Sequence, residues 1–109
     1  MLRTVVIGAS TGLGRCIGIG LAARGGRVAL LARTQDKLDT AAREAGSSAL
    51  AISCDVTDEA SCREGIAAAA EGLGGIDAVI YAAAIGRLVR IENADAATWR
   101  RAFDTNVMG

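Results

Sequence analysis

Three glycines, Gly8, Gly12 and Gly14, fall in the run VVIGASTGLGR at residues 5–15, directly after a β-branched apolar stretch. A bend so poor in side chains leaves backbone amides bare. Amides at a helix start have no partner within the helix, and the helix dipole adds partial positive charge there. Such a bend can hold a diphosphate, provided that no side chain intrudes. Gly8 is expected to permit the sharp turn, Gly12 the close approach of phosphate, and Gly14 the tight packing of helix on strand. Ser10, Thr11 and Leu13 complete the expected cradle. An ordinary flexible turn is the competing reading; a strand before the bend and a helix after it weigh against that. The spacing Gly-x-x-x-Gly-x-Gly is not the commoner Gly-x-Gly-x-x-Gly fingerprint. It is not an ATPase-type phosphate loop either, because that needs lysine followed by serine or threonine, and the only lysine is Lys37.

Other chemistry is bounded by what is scarce. There are three cysteines, Cys16, Cys54 and Cys62, no CxxC pair and no histidine. That set argues against a zinc site and against a disulfide framework. Three reduced thiols in a cytoplasmic protein are the expectation. Twelve basic residues balance twelve acidic ones, which leaves no electrostatic case for nucleic acid or an anionic membrane as partner. The apolar runs are strand-sized, too short for a bilayer, and MLRTVVIGAS lacks the extended apolar region and cleavage pattern of a signal peptide. With 51% apolar and 22% charged residues among 109, one small globular domain is expected.

The elements that must position the glycine bend follow from the apolar pattern. Leu2–Ile7, Val28–Ala32, Ala49–Ser53 and Ile76–Ala82 are short continuous apolar runs and predict buried strands. Between them, helical spacing predicts helices over Gly12–Arg24, from an N-cap at Thr34 through Glu44, and from Asp58 to Glu71 behind a cap at Thr57. A looser segment follows, then a helix from near Asp95 with Trp99, Ala102 and Phe103 on one packing face. Alternating strands and helices imply an α/β fold with a parallel sheet covered on both faces. Right-handed crossovers favour a Rossmann-like, doubly wound layout, here partial, with about four strands in the order 3-2-1-4. The bend then lies at the carboxyl edge of the sheet, where ligands bind. Gly18 and Gly20 conflict locally with this reading, since each costs a helix interior about 1 kcal/mol relative to alanine. Close packing of that helix on the sheet is the expected compensation.

Taken with its surroundings, GASTGLG at 8–14 resembles the glycine motif of the short-chain dehydrogenase/reductase family, classical subtype. CDVTD at 54–58 is similar to the family's segment after the third strand, and FDTNVMG at 103–109 to the stretch of its fourth helix that carries an asparagine. The likeness covers essentially the whole chain, in order. It implies that Asp55 and Val56 meet the adenine, and that Asn106 has a structural and catalytic role. Two alternatives stay open: Asp55 as a helix-initiating acid, and Asn106 as a plain polar helix residue. There are departures. Ile7 stands where the family usually has threonine. Tyr81-Ala82-Ala83-Ala84 stands where it has Asn-Asn-Ala-Gly. The small residues Ala82, Ala83 and Ala84 still allow a cofactor close to the backbone. The lost asparagine hydrogen bonds predict a less rigid segment.

Arg33 ends the second strand about 20 positions after the glycines, where a dinucleotide fold meets the adenosine ribose. An acid there accepts from the 2′-hydroxyl of NAD, whereas an arginine can clamp the 2′-phosphate of NADP. NADP is therefore the expected cofactor and NAD the second choice, with Thr34 and Arg15 assisting. A solvated arginine is the alternative. Arg87, Arg90, Arg100 and Arg101 give a local basic tilt, by default solvated, with a substrate or phosphate contact as the minority reading.

The resembling family protonates its product with a tyrosine and a lysine four residues later. A phenol of pKa ~10 is a poor acid at neutral pH unless a nearby cation stabilises its anion. Here the only tyrosine is Tyr81, with Ile85 four positions on. The chain therefore reads as the N-terminal portion of a dinucleotide-binding domain, truncated within the fourth helix. The whole protein is expected to be an oxidoreductase acting on a carbonyl or alcohol substrate, and the chain alone to be inactive. Without a further neighbour, the fourth strand would be an apolar edge prone to self-association. A non-catalytic nucleotide sensor and a structural interaction domain are the rival readings. A sugar-nucleotide epimerase fits less well because its glycines are spaced differently.

Overall fold

The computed structural model describes residues 1–86 and 88–109. Its elements are β1 (Arg3–Ile7), α1 (Gly12–Ala23), β2 (Arg27–Ala32), α2 (Gln35–Ala45), β3 (Leu50–Ser53), α3 (Glu59–Leu73), β4 (Ala78–Tyr81) and α4 (Ala96–Phe103). A short 3-10 turn, Ile91–Asn93, precedes α4, and a π-helical turn, Asp104–Met108, follows it. The strands pair in parallel in the order β3-β2-β1-β4. Val5 lies opposite both Ala29 and Val79, which fixes the register of the central strands.

Side chains alternate across a strand, so each apolar run supplies two cores. Val6, Val28 and Leu30 point to one face and pack with Leu38 and Ala41 of α2 and, at its edge, Ile17 and Leu21 of α1. Val5, Ala29 and Leu31 point to the other face and pack with Ala69 and Leu73 of α3. Helices thus cover both faces of the sheet. Two arginines staple its amino edge. Arg27 donates to the carbonyls of Leu73 at 2.8 Å and Gly72 at 3.1 Å, taking up orphaned acceptors at the end of α3. The Arg3 guanidinium meets Asp77 at 2.9 Å and also donates to the Gly74 carbonyl.

Gly18 is a packing position: a Cβ there would lie 2.5 Å from Leu30 Cδ2. Gly20 is not, since its Cβ would meet only an arginine side-chain nitrogen at 3.6 Å, and nothing in the structure explains that glycine. The cap of α3 also differs from the expectation. Asp58, not Thr57, accepts from the amides of Ala60 and Ser61, because Thr57 is bonded back to Asp55. Trp99 and Phe103 do share a side of α4, but at 52% and 56% exposure they pack against little. Their helix contributes no buried residue.

Candidate functional site

The carboxyl ends of the strands surround a cleft of about 380 Å³. At the end of β1 the chain turns through Gly8, with φ of 84°, and the amides of Gly8 and Ala9 both donate to the Leu31 carbonyl, at 2.8 and 3.1 Å. The turn is pressed against the segment that follows β4. A Cβ on Gly8 would lie 2.6 Å from Ala83 Cα and 2.7 Å from the Ala82 carbonyl carbon. Gly14 is buried underneath, where a Cβ would collide with the Gly8 carbonyl. Gly12, with φ of 58°, meets nothing within 4 Å and opens onto the cleft.

The helix starts at this cleft differ from those elsewhere. Thr11 and Thr34 precede α1 and α2 in extended conformation, and neither side chain makes a capping bond. Asp58 and Asp95 cap α3 and α4 with their carboxylates. The two helix starts beside the cleft thus keep first-turn amides that no side chain satisfies, which is the donor set an anion takes.

Around the cleft stand Gly8, Ser10, Thr11, Gly12 and Leu13 from the first bend, Arg33 and Thr34 after β2, Val56 after β3, and Ala82, Ala83 and Ala84 after β4. Four expected residues do not line it: Gly14, Arg15, Asp55 and Asn106. Asp55 Oδ1 accepts from the Thr57 amide at 3.0 Å and from the Thr57 hydroxyl at 2.7 Å. These bonds hold its carboxyl below the usual carboxylate range, with a smaller contribution from Arg33. The Arg33 side chain is exposed and forms no ion pair among the described residues. Arg15, expected to assist it, instead meets Glu44 at 2.6 Å. Of the basic tilt, Arg90 lies 3.8 Å from Glu92, Arg100 and Arg101 sit on α4, and none lines the cleft. Arg87 lies outside the described residues.

Asn106 does not line the cleft but holds Ile85, which does: its Oδ1 accepts from the Ile85 amide at 2.8 Å, and its Nδ2 donates to the Ile85 carbonyl at 2.9 Å. Tyr81 donates its phenolic proton to the carbonyl of Thr105, a buried residue that lines the cleft. The segment after β4 thus lacks the family's asparagine bonds but has other hydrogen bonds at its ends. These come from the side chains of Tyr81 and Asn106. Burial, with smaller contributions from Cys62 and Cys54, raises the Tyr81 phenol above its ordinary value.

Sequence reasoning missed Ile7, Ala32, Cys54, Lys37, Ile85 and Thr105 as cleft residues. The first three end or follow strands and were findable from the rule that the carboxyl edge binds ligands. Burial pushes the Cys54 thiol up, so it serves as an apolar wall. Lys37 lies on the first turn of α2, three residues past Thr34, and lines this cleft and the shallower recess beside Arg15. No local signal marks Thr105, which the π-helical turn brings in.

Comparison with known proteins agrees with this geometry. The family model described as short chain dehydrogenase matches residues 3–109. Galactitol 2-dehydrogenase (L-tagatose-forming) of Cereibacter sphaeroides is 39% identical over 105 residues, covering 95% of this chain and 41% of the relative. Gluconate 5-dehydrogenase of Gluconobacter oxydans is 35% identical over 108 residues, covering 96% and 42%. A short-chain type dehydrogenase/reductase from Mycobacterium marinum superposes with a TM-score of 0.92 at 34% identity, over 98% of this chain and 44% of that one. A variant of actinorhodin polyketide ketoreductase, solved with NADPH, gives 0.87 at 29% identity, over 94% and 41%. The chain spans less than half the length of these relatives. By the match over nearly all of its residues, the chain belongs to the short-chain dehydrogenase family.

Proposed function

We propose that this chain is the nucleotide-binding portion of an NADP(H)-dependent oxidoreductase that, as a whole protein, transfers hydride between the cofactor and a carbonyl or alcohol. The observation that carries the reading is the glycine bend. Gly8 and Gly14 hold the turn tight against β4 and α1, while Gly12 leaves the cleft open before uncapped amides. A pyrophosphate suits that donor set. Arg33 and Thr34 would take the 2′-phosphate, Val56 and Asp55 would border the adenine, and the backbone of Ala82–Ala84 would lie under the cofactor. The bound nicotinamide would supply the hydride donor or acceptor.

For this chain alone, binding without turnover is the expectation. There is no Tyr-x-x-x-Lys. The one tyrosine, Tyr81, has its hydroxyl committed to Thr105. A developing alkoxide therefore has no proton donor here of the kind the family resemblance implies. The supporting relatives are named as dehydrogenases, and one neighbour was solved with NADPH.

Titration with NADPH and NADH tests the reading. NADPH should bind more tightly, and Arg33→Asp should erase or reverse the preference, by about 10- to 100-fold for one charge-assisted phosphate contact. Absence of saturable binding at millimolar NADPH would remove the proposal.

A further inference from the structure

We propose that Tyr81 is a positioning residue: together with Asn106 it clamps both ends of the Ala82–Ala84 segment onto one turn of the chain, and so sets the floor against which Gly8 closes. The three alanines carry no polar side-chain atom. Apart from the backbone bond of Ala82 to Ile7, their shape is therefore set from the ends. At one end the Tyr81 phenol donates to the Thr105 carbonyl. At the other, Asn106 engages both backbone polar groups of Ile85, at 2.8 and 2.9 Å. The two anchors are consecutive residues, so the two ends of the segment are tied to the same turn of the chain.

The tolerance for error is small. The Ala82 amide donates to the Ile7 carbonyl at 2.7 Å, and a Cβ on Gly8 would already lie 2.6 Å from Ala83 Cα. A shift of the segment toward Gly8 therefore closes the turn, and a shift away widens the cleft. Tyr81 as a whole is 39% exposed, but its hydroxyl lies against the last turn of the chain. A Cβ on Gly109 would stand 2.5 Å from its oxygen and 2.8 Å from Val56 Cγ2. The proposal rests on the nucleotide reading only for the ligand that this floor would meet.

Amide exchange on the 109-residue chain, without nucleotide, tests the clamp. Tyr81→Phe keeps the ring and removes the hydroxyl. The Ile85 amide should then exchange about five- to tenfold faster, the effect of one hydrogen bond passed across the segment, while Val5 and Val6 keep their rates. An unchanged Ile85 rate, or an equal acceleration at Val5 and Val6, overturns the proposal. Should Tyr81→Phe fold too poorly, Asn106→Ala gives a second reading. Tyr81 is the only tyrosine, and its raised phenol pKa should fall toward the ordinary value once the turn loosens; an unmoved titration overturns the clamp. Where NADPH binds the parent chain, Tyr81→Phe should weaken NADPH and NADH alike. A changed ratio would mean direct contact with the nucleotide and would overturn a positioning role. The exchange and phenol measurements need no nucleotide, so their failure is distinct from failure of the NADPH titration.

Discussion

Gly8 and Ala83 meet backbone to backbone: a single methyl on Gly8 would stand 2.6 Å from the Ala83 Cα, in a residue whose φ is 84°. Gly12, four residues on, also has positive φ, at 58°, but a methyl there meets nothing within 4 Å. The two glycines of one motif are therefore separable by experiment. Gly8→Ala combines backbone strain with a clash against main chain that cannot rotate away, and should cost about 3 kcal/mol or more of stability. Gly12→Ala should cost about 1 kcal/mol, the penalty of a left-handed non-glycine residue. Its methyl stands in the open cleft, so NADPH affinity should fall while the fold survives. Denaturant unfolding and nucleotide titration of both variants check this. Equal stability losses would mean that the turn is not seated against β4 as described.

How far this arrangement was legible in the sequence depends on the range of the interaction. The strands were readable because each apolar run is continuous, and their order followed from alternation with helices. Gly8, Gly12 and Gly14 were readable because the bend is local, with a strand on one side and a helix on the other. Asp58 was passed over as a cap because Thr57 stands beside it with equally suitable chemistry. The choice was made by Asp55, which occupies the Thr57 hydroxyl and amide. The partnership of Tyr81 with Thr105 was not legible at all. It spans 24 residues and depends on a π-helical turn that no periodicity announces. The pairing of Arg15 with Glu44, on a different helix, was not legible for a similar reason.

Acid should unfasten the amino edge of the sheet. Asp77 accepts from Arg3 through both carboxylate oxygens, and those bonds hold its pKa down to about 2 from 3.8. A carboxyl whose pKa is lower when folded than when unfolded stabilises the fold above the unfolded value. The contribution of Asp77 is thus complete above pH ~4 and is lost as pH falls through about 2. Asp77→Asn should be less stable than the parent at neutral pH, by a modest margin because the pair is exposed and screened. The difference should shrink between pH ~4 and ~2. Thermal unfolding of both chains across that range, at low and high salt, reads it directly. A gap that stays constant with pH would detach the carboxylate from the effect.

The outer edge of β4 is the remaining consequence of this sheet order. Among the described residues β4 pairs only with β1, and Val79 is 54% exposed. A parallel edge strand with an apolar outer face invites pairing with a second copy. The chain should therefore self-associate with rising concentration in sedimentation velocity. Val79→Lys places a charge on that edge, and by the behaviour of exposed substitutions should change stability by no more than about 0.5 kcal/mol. It should shift the distribution toward monomer. A parent chain that sediments as a well-folded monomer at high concentration would show that the edge is protected by something other than strand pairing.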